Sequence, residues 1–271
     1  EVLLFAALAF CQDGDEILHA NHGFEMYSIV SKVVGAVPKK IKEDVNFNLN
    51  IENLIDQTND ATKVIYIASP NNPTGTYLSR DQLVKLMNSI SKNIIVVIDG
   101  AYVEYVQKDD YDKGFSLTDE YENIILTRTF SKTYGLAALR VGWCYTSQKI
   151  ADIINKIKPP FNTTTISQSL AIKALEDKEH IENSVKLNSE IKDWFEKELK
   201  LLNIKTRQTE GNFTLIETSE EEAEKISNHL MNDGIIIRRL NSYNLPNFLR
   251  ISIGTKEEMN LTVESLKKFN V

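Results

Sequence analysis

Cysteine is nearly absent: only Cys11 and Cys144 occur in 271 residues, with no CxxC and no Cys/His cluster. That excludes a disulfide framework and a structural zinc site. It points to a reducing, cytoplasmic setting with two inert, buried thiols. Long apolar runs are also missing. No stretch reaches the roughly 18 apolar residues that a membrane helix needs, so no membrane partner is expected. The apolar start EVLLFAALAFCQDGDE opens on an acid and has neither a basic leader nor a small-residue cleavage site. A core helix is expected there rather than a signal peptide. Basic residues are outnumbered, 31 Lys and Arg against 38 Asp and Glu, for a net charge of -7. A surface of that sign repels phosphate backbones, so nucleic acid is excluded as the main partner. The four histidines, His19, His22, His180 and His229, show no metal-ligand spacing, and no metal is expected. His180 and His229 read as helix-surface residues and His22 as a loop residue. Internal repeats and low-complexity tracts are absent.

What is present is alternation. EILHA (16–20), KVIYIAS (63–69), NIIVVID (93–99), NIILTRT (123–129) and LRVGWCYT (139–146) read as strands. Several are nearly continuous Val/Ile runs, as suits strands covered on both faces. FEMYSIVSKVVGA, SRDQLVKLMNSISK and QKIADIINKIK carry helical spacing, with Ser79 as an N-cap. The fold class is therefore α/β with a mostly parallel central sheet. KPPFNTTT (158–165) is a breaker-rich link, followed by one long charged helix over roughly 166–200 with a solvated face. NIKTRQT, NFTLIET, GIIIRRL and FLRISIG then read as short strands, with helices at 219–232 and 256–269, as a small α+β unit. The chain has no initial methionine and opens in mid-helix, as if a segment preceded it.

Ligands of open α/β sheets sit at the carboxyl ends of the strands, and the unusual residues gather there. NNPTG (71–75) follows one strand, Asp99 and Tyr102 end the next, and Thr129, Ser131 and Lys132 end the third, with Arg140 eight residues on. Taken singly these are a turn, a helix cap and a surface lysine. Together, SPNNPTG (69–75), DGAYVEY (99–105), TFSKTYGLAALRVG (129–142), GIIIR (234–238) and LRISIGT (249–255) resemble, in order, the fold-type I pyridoxal-phosphate-dependent aminotransferases. Within them the chain is most similar to the histidinol-phosphate aminotransferase branch.

The resemblance implies a role for each residue. Lys132 would bond the aldehyde of pyridoxal 5'-phosphate and move a proton at the substrate α-carbon. Asp99 would keep the pyridine nitrogen protonated. Tyr102 and Asn72 would bond the ring oxygen, Thr129, Ser131 and Arg140 would hold the phosphate, and Phe24 would stack on the ring, with Tyr27 a less certain neighbour. Arg250 would receive the anionic end of the substrate and Arg238 a substrate phosphate. Arg239 would point the other way and be solvated, and Asn212 would lie near the substrate. Where relatives carry an acid after the aspartate, this chain has Gly100, which removes a polar neighbour.

A large cofactor domain over 1–180 and a small one over 181–271 are expected, in a homodimer acting on a small-molecule amino donor and a 2-oxo acid. Relatives have a further stretch before EVLL with a glycine-rich phosphate turn. The implied reaction is transamination of histidinol phosphate with 2-oxoglutarate. Transamination of aromatic amino acids, decarboxylation of a phosphorylated amino acid and a non-catalytic relative are the alternatives.

Overall fold

The computed structural model describes residues 1–269. Six strands form one sheet: β1 (Glu16–Ala20), β2 (Val37–Ile41), β3 (Thr62–Ala68), β4 (Ile95–Asp99), β5 (Ile124–Thr129) and β6 (Gly142–Thr146). Their order is β2-β1-β3-β4-β5-β6. Every pair is parallel except β5 and β6, which run antiparallel. Alternation along the strands sends side chains to two separate cores. Leu18, Ile65, Ile67, Val96, Ile98 and Leu126 pack under α3 (Ile51–Asp56), α4 (Arg80–Ser89) and α5 (Phe115–Glu120). Ile17, Val64, Tyr66, Val97 and Ile125 pack under α1 (Val2–Phe10), α2 (Met26–Val33) and α6 (Gln148–Ile157). Each fully buried aliphatic side chain in these rows contributes about 1.5–3 kcal/mol.

The apolar start is the core helix α1, with Phe5, Ala6 and Ala7 buried. Ser79 caps α4 in a reciprocal box: its hydroxyl accepts from the Gln82 amide and the Gln82 side chain accepts from the Ser79 amide. Three expectations are corrected. The 139–146 segment becomes strand only from Gly142, because Ala137–Leu139 makes a 3-10 turn and Arg140 takes φ +50°, which no strand continues. The long charged helix is two, α7 (Thr165–Glu176) and α8 (Lys178–Leu201), divided at Asp177, whose side chain caps the second by accepting from the His180 amide at 3.1 Å. GIIIR is mostly not strand. Gly234, at φ +80°, closes α9 (Glu220–Asn232), and the Ile235 amide returns to the Leu230 carbonyl at 2.8 Å. Strand β9 spans only Arg238–Leu240.

The second sheet is antiparallel, in the order β7 (Lys205–Arg207), β8 (Phe213–Glu217), β10 (Leu245–Ser252), β9. One face packs Ile216, Leu249 and Ile251 against α8, α9 and α10 (Lys256–Phe269). The opposite face carries Arg238 and Arg250, register partners across β9 and β10.

Candidate active site

The carboxyl edge of the six-stranded sheet opens into a cavity of about 410 Å³. Phe24, Asn72, Asp99, Tyr102, Thr129, Ser131, Lys132 and Arg140 all line it. Eight side chains drawn from four separate segments thus meet in one place. Strand parity explains part of this. Val97 and Asp99 share the face toward α2, and register sets Thr127 of β5 beside Asp99 of β4.

Asp99 is half-buried on the cavity floor. One carboxyl oxygen accepts from Tyr27 Oη at 2.9 Å, the other from Thr127 Oγ1 at 2.9 Å. Burial raises its pKa, and these two bonds and the Arg128 charge pull against that. Lys132 opens toward the cavity, with Nζ 5.3 Å from the centre of the Tyr102 ring. The surrounding wall desolvates the amine, and the Arg250 guanidinium repels a second cation, so its pKa lies below that of an ordinary lysine. Burial pushes the Tyr102 phenol up to about 12, so it is a hydrogen-bond donor at neutral pH.

Arg140 Nη1 donates to the Ala137 carbonyl at 2.8 Å, which anchors the guanidinium at the same mouth as Thr129 and Ser131. Thr129 Oγ1 accepts from the Ser131 amide at 3.1 Å. Phe24 meets Tyr27 edge-on at 5.9 Å. A flat ligand with an anion at one end and a hydrogen-bonding ring edge is what such walls can hold: cation and hydroxyls at the mouth, amine at the side, carboxylate below.

Arg250 does not line the cavity but reaches it through Asn72, whose Oδ1 accepts from its Nη1. The same guanidinium lies 5.1 Å from the centre of the Phe213 ring. Arg238 stands apart, 55% exposed and 3.9 Å from Glu25. Arg239 points away from it, as strand alternation requires, yet it is not solvated. It is the less exposed of the two, at 30%, with Nη1 3.8 Å from Glu224 of α9. Asn212 stands outside the cavity lining, its carbonyl accepting from the Ile253 amide. His229 is half-buried rather than freely solvated: Nε2 donates to the Ser265 carbonyl at 2.9 Å and joins α9 to α10. His180 reaches the Thr133 carbonyl, beside Lys132, at 3.1 Å. His22 sits in a loop with Nδ1 3.1 Å from Glu43. Cys11 is buried and Cys144 half-buried, both with thiols pushed up by burial, Cys11 to about 12. Among the described residues no cluster fit for a metal exists, and no helix is long and apolar enough to cross a membrane.

The family model described as "Aminotransferase class I and II" matches residues 1–266. The chain belongs to the class I and II aminotransferases. This aminotransferase is 36% identical over 270 residues to a histidinol-phosphate aminotransferase of Roseobacter denitrificans, with 99% of the chain and 74% of that protein covered. It is 39% identical over 274 residues to another of Pelagibacter ubique, covering 100% of the chain and 76% of that protein. The chain thus spans about three quarters of the length of these relatives. The histidinol-phosphate aminotransferase of Sinorhizobium meliloti, solved in complex with pyridoxal-5'-phosphate, superposes with a TM-score of 0.91 at 23% identity. That match covers 99% of this chain and 75% of that one, and establishes the shared fold.

Arg128, which lines the cavity, and Thr127, which bonds Asp99 from outside it, were not expected at the site, and Tyr27 was expected only as a less certain neighbour of the ring. Tyr27 is fully buried inside a helix, where a tyrosine reads as core. Arg128 accounts for Gly100. It is 7% exposed, and its Nη1, which donates to the Thr127 carbonyl at 2.7 Å, occupies the room that a Cβ on Gly100 would need. The polar neighbour absent at position 100 is supplied by this guanidinium.

Proposed function

We propose that this aminotransferase binds pyridoxal 5'-phosphate and transfers the amino group of histidinol phosphate to 2-oxoglutarate. One observation carries the reading: an amine, a carboxylate and a guanidinium with two hydroxyls converge on one cavity of the size of a small cofactor. Their chemistry fits this group, matching an aldehyde, a pyridine nitrogen and a phosphate in turn. The similarity to proteins named histidinol-phosphate aminotransferases supports the choice of donor.

When bound, the cofactor supplies an electron sink for the substrate α-carbon. Lys132 would hold the cofactor aldehyde through its amine, and its Nζ would be the group that moves a proton at the substrate α-carbon; burial and the Arg250 charge set its pKa below that of an ordinary lysine. Asp99 holds the proton on the ring nitrogen. Asn72 Oδ1 is taken by Arg250, which leaves the Asn72 amide N–H to donate, with Tyr102 Oη, to the ring oxygen. Thr129, Ser131 and Arg140 hold the phosphate, and Phe24 covers the ring. Arg250 receives the substrate carboxylate or phosphate in a two-pronged grip, and Arg238, on the same sheet face, attracts the substrate phosphate. Residues 1–180 act as the large domain and 181–271 as the small one, and the enzyme works as a homodimer with a two-fold axis.

The test is a half-reaction. Histidinol phosphate should convert the bound cofactor to its amine form at low concentration, with 2-oxoglutarate reversing the change. If phenylalanine does so far better, the aromatic reading replaces this one. A colourless protein that never binds the cofactor would rule out both.

A further inference from the structure

Asp99 is gripped from two sides by the hydroxyls of two uncharged residues, of which Tyr27 also lines the cavity. Thr127 is its neighbour across β4 and β5 by register, and Tyr27 arrives from α2. Each hydroxyl takes a different carboxyl oxygen, at 2.9 Å in both cases. Resting on the reading above, we infer that Tyr27 and Thr127 are positioning residues: a two-hydroxyl clamp that sets the plane of the Asp99 carboxyl and keeps it ionised for a pyridinium N–H.

The physical case has three parts. Burial alone drives a carboxyl toward its neutral form, and a neutral Asp99 could not hold a proton on a ring nitrogen. Two donors on two different oxygens favour the ionised form, because only that form is a full acceptor at both. Tyr27 can serve only as the donor, since burial and then the Asp99 charge hold its phenol far above the range in which it would lose its proton. Nor can it swing away. Its ring lies flat on Tyr66, centres 4.9 Å apart and planes 4° from parallel, and Tyr66 Oη is itself tied to the Leu3 carbonyl at 2.6 Å. The other charged or ionisable groups that act on Asp99 are Arg128 on β5, Tyr66 on β3 and Tyr102 beyond β4. Among the described residues, only Tyr27 and Thr127 bond its carboxyl directly.

The experiment uses the full chain in five forms: wild type, Tyr27→Phe, Thr127→Val, Thr127→Ser and Asp99→Asn. Without cofactor, the Asp99 carboxyl is titrated by carbon-13 NMR, with Asp99→Asn assigning the signal. Removing either hydroxyl should raise its midpoint by about one pH unit, while Thr127→Ser, which keeps the hydroxyl, should restore the wild-type value. With cofactor, Tyr27→Phe should bind pyridoxal phosphate about tenfold more weakly. It should bind the analogue whose ring nitrogen is replaced by C–H as well as wild type does. Unshifted titrations, or equal losses for both ligands, would reduce Tyr27 to a packing residue. Should wild type fail to bind pyridoxal phosphate at all, the functional reading falls while the titration still decides the clamp.

Discussion

At the edge of the six-stranded sheet, Asp99 has both oxygens bonded and Arg140 is anchored to the Ala137 carbonyl of its own turn. Across from it, on the four-stranded sheet, Arg238 is 55% exposed and only loosely paired, and Arg250, among the described residues, has a single hydrogen-bond partner, Asn72, with its Nε buried and unpaired. One side is built before any ligand arrives. The other holds cationic groups whose geometry an incoming anion must complete. On the proposed reading, such a site would fix the chemistry on the parallel sheet and leave donor choice to the smaller sheet, so substitutions on the two should fail in different ways.

The comparison breaks most visibly at Lys132. Lys132→Ala should lower transamination by about 10³-fold and abolish the borohydride-fixed adduct of cofactor and chain, measured by steady-state rates and mass spectrometry. Retention of either would mean that the prebuilt side is not where the chemistry occurs. On the other sheet the effect should be smaller and selective. Arg250→Ala should raise KM for donor and acceptor alike, by about 10- to 100-fold. Arg238→Ala should weaken histidinol phosphate by about tenfold and spare glutamate, with melting temperature unchanged, because an exposed pair adds about 0–1 kcal/mol. Equal losses for both substrates would erase the distinction. The smallest effect joins the two regions. Since the Arg250 charge helps hold the Lys132 pKa down, Arg250→Ala should move the pH midpoint for adduct formation with pyridoxal phosphate upward, by less than burial alone accounts for. A midpoint that stays put would show that the two sheets do not communicate electrostatically.

Much of this was legible in the sequence because its signals are local. Val/Ile runs and the Ser79 cap specify strands and a helix start without reference to distant parts of the chain, while the cavity residues became legible only as a set of strand-end segments in the order of a known family. What escaped depends on neighbours. Strand β2 contains Pro38, Lys39 and Lys40, a poor strand pattern that is tolerated only because it forms the sheet edge, with Lys39 paired to Glu16 at 3.2 Å. Asp177 divides α7 from α8 within an acid-lysine run whose composition does not change. Arg128 looked like a strand residue, and the turn at Gly100 brings its guanidinium beside Asp99, while Tyr27 reaches that carboxyl from α2 across the packing of helix on sheet. His229 misled for the same reason, since its partner lies on α10.

The amide of Asn72 has two ends: its oxygen already answers to Arg250, and its nitrogen is left for whatever lies in the cavity. On the proposed reading, an anion that captured Arg250 would have to loosen or reorient this one side chain, and the arrival of substrate would reach the ring through a single swivel. Protein engineers who alter Arg250 to change what the enzyme accepts should therefore find the colour of the bound cofactor changing as well.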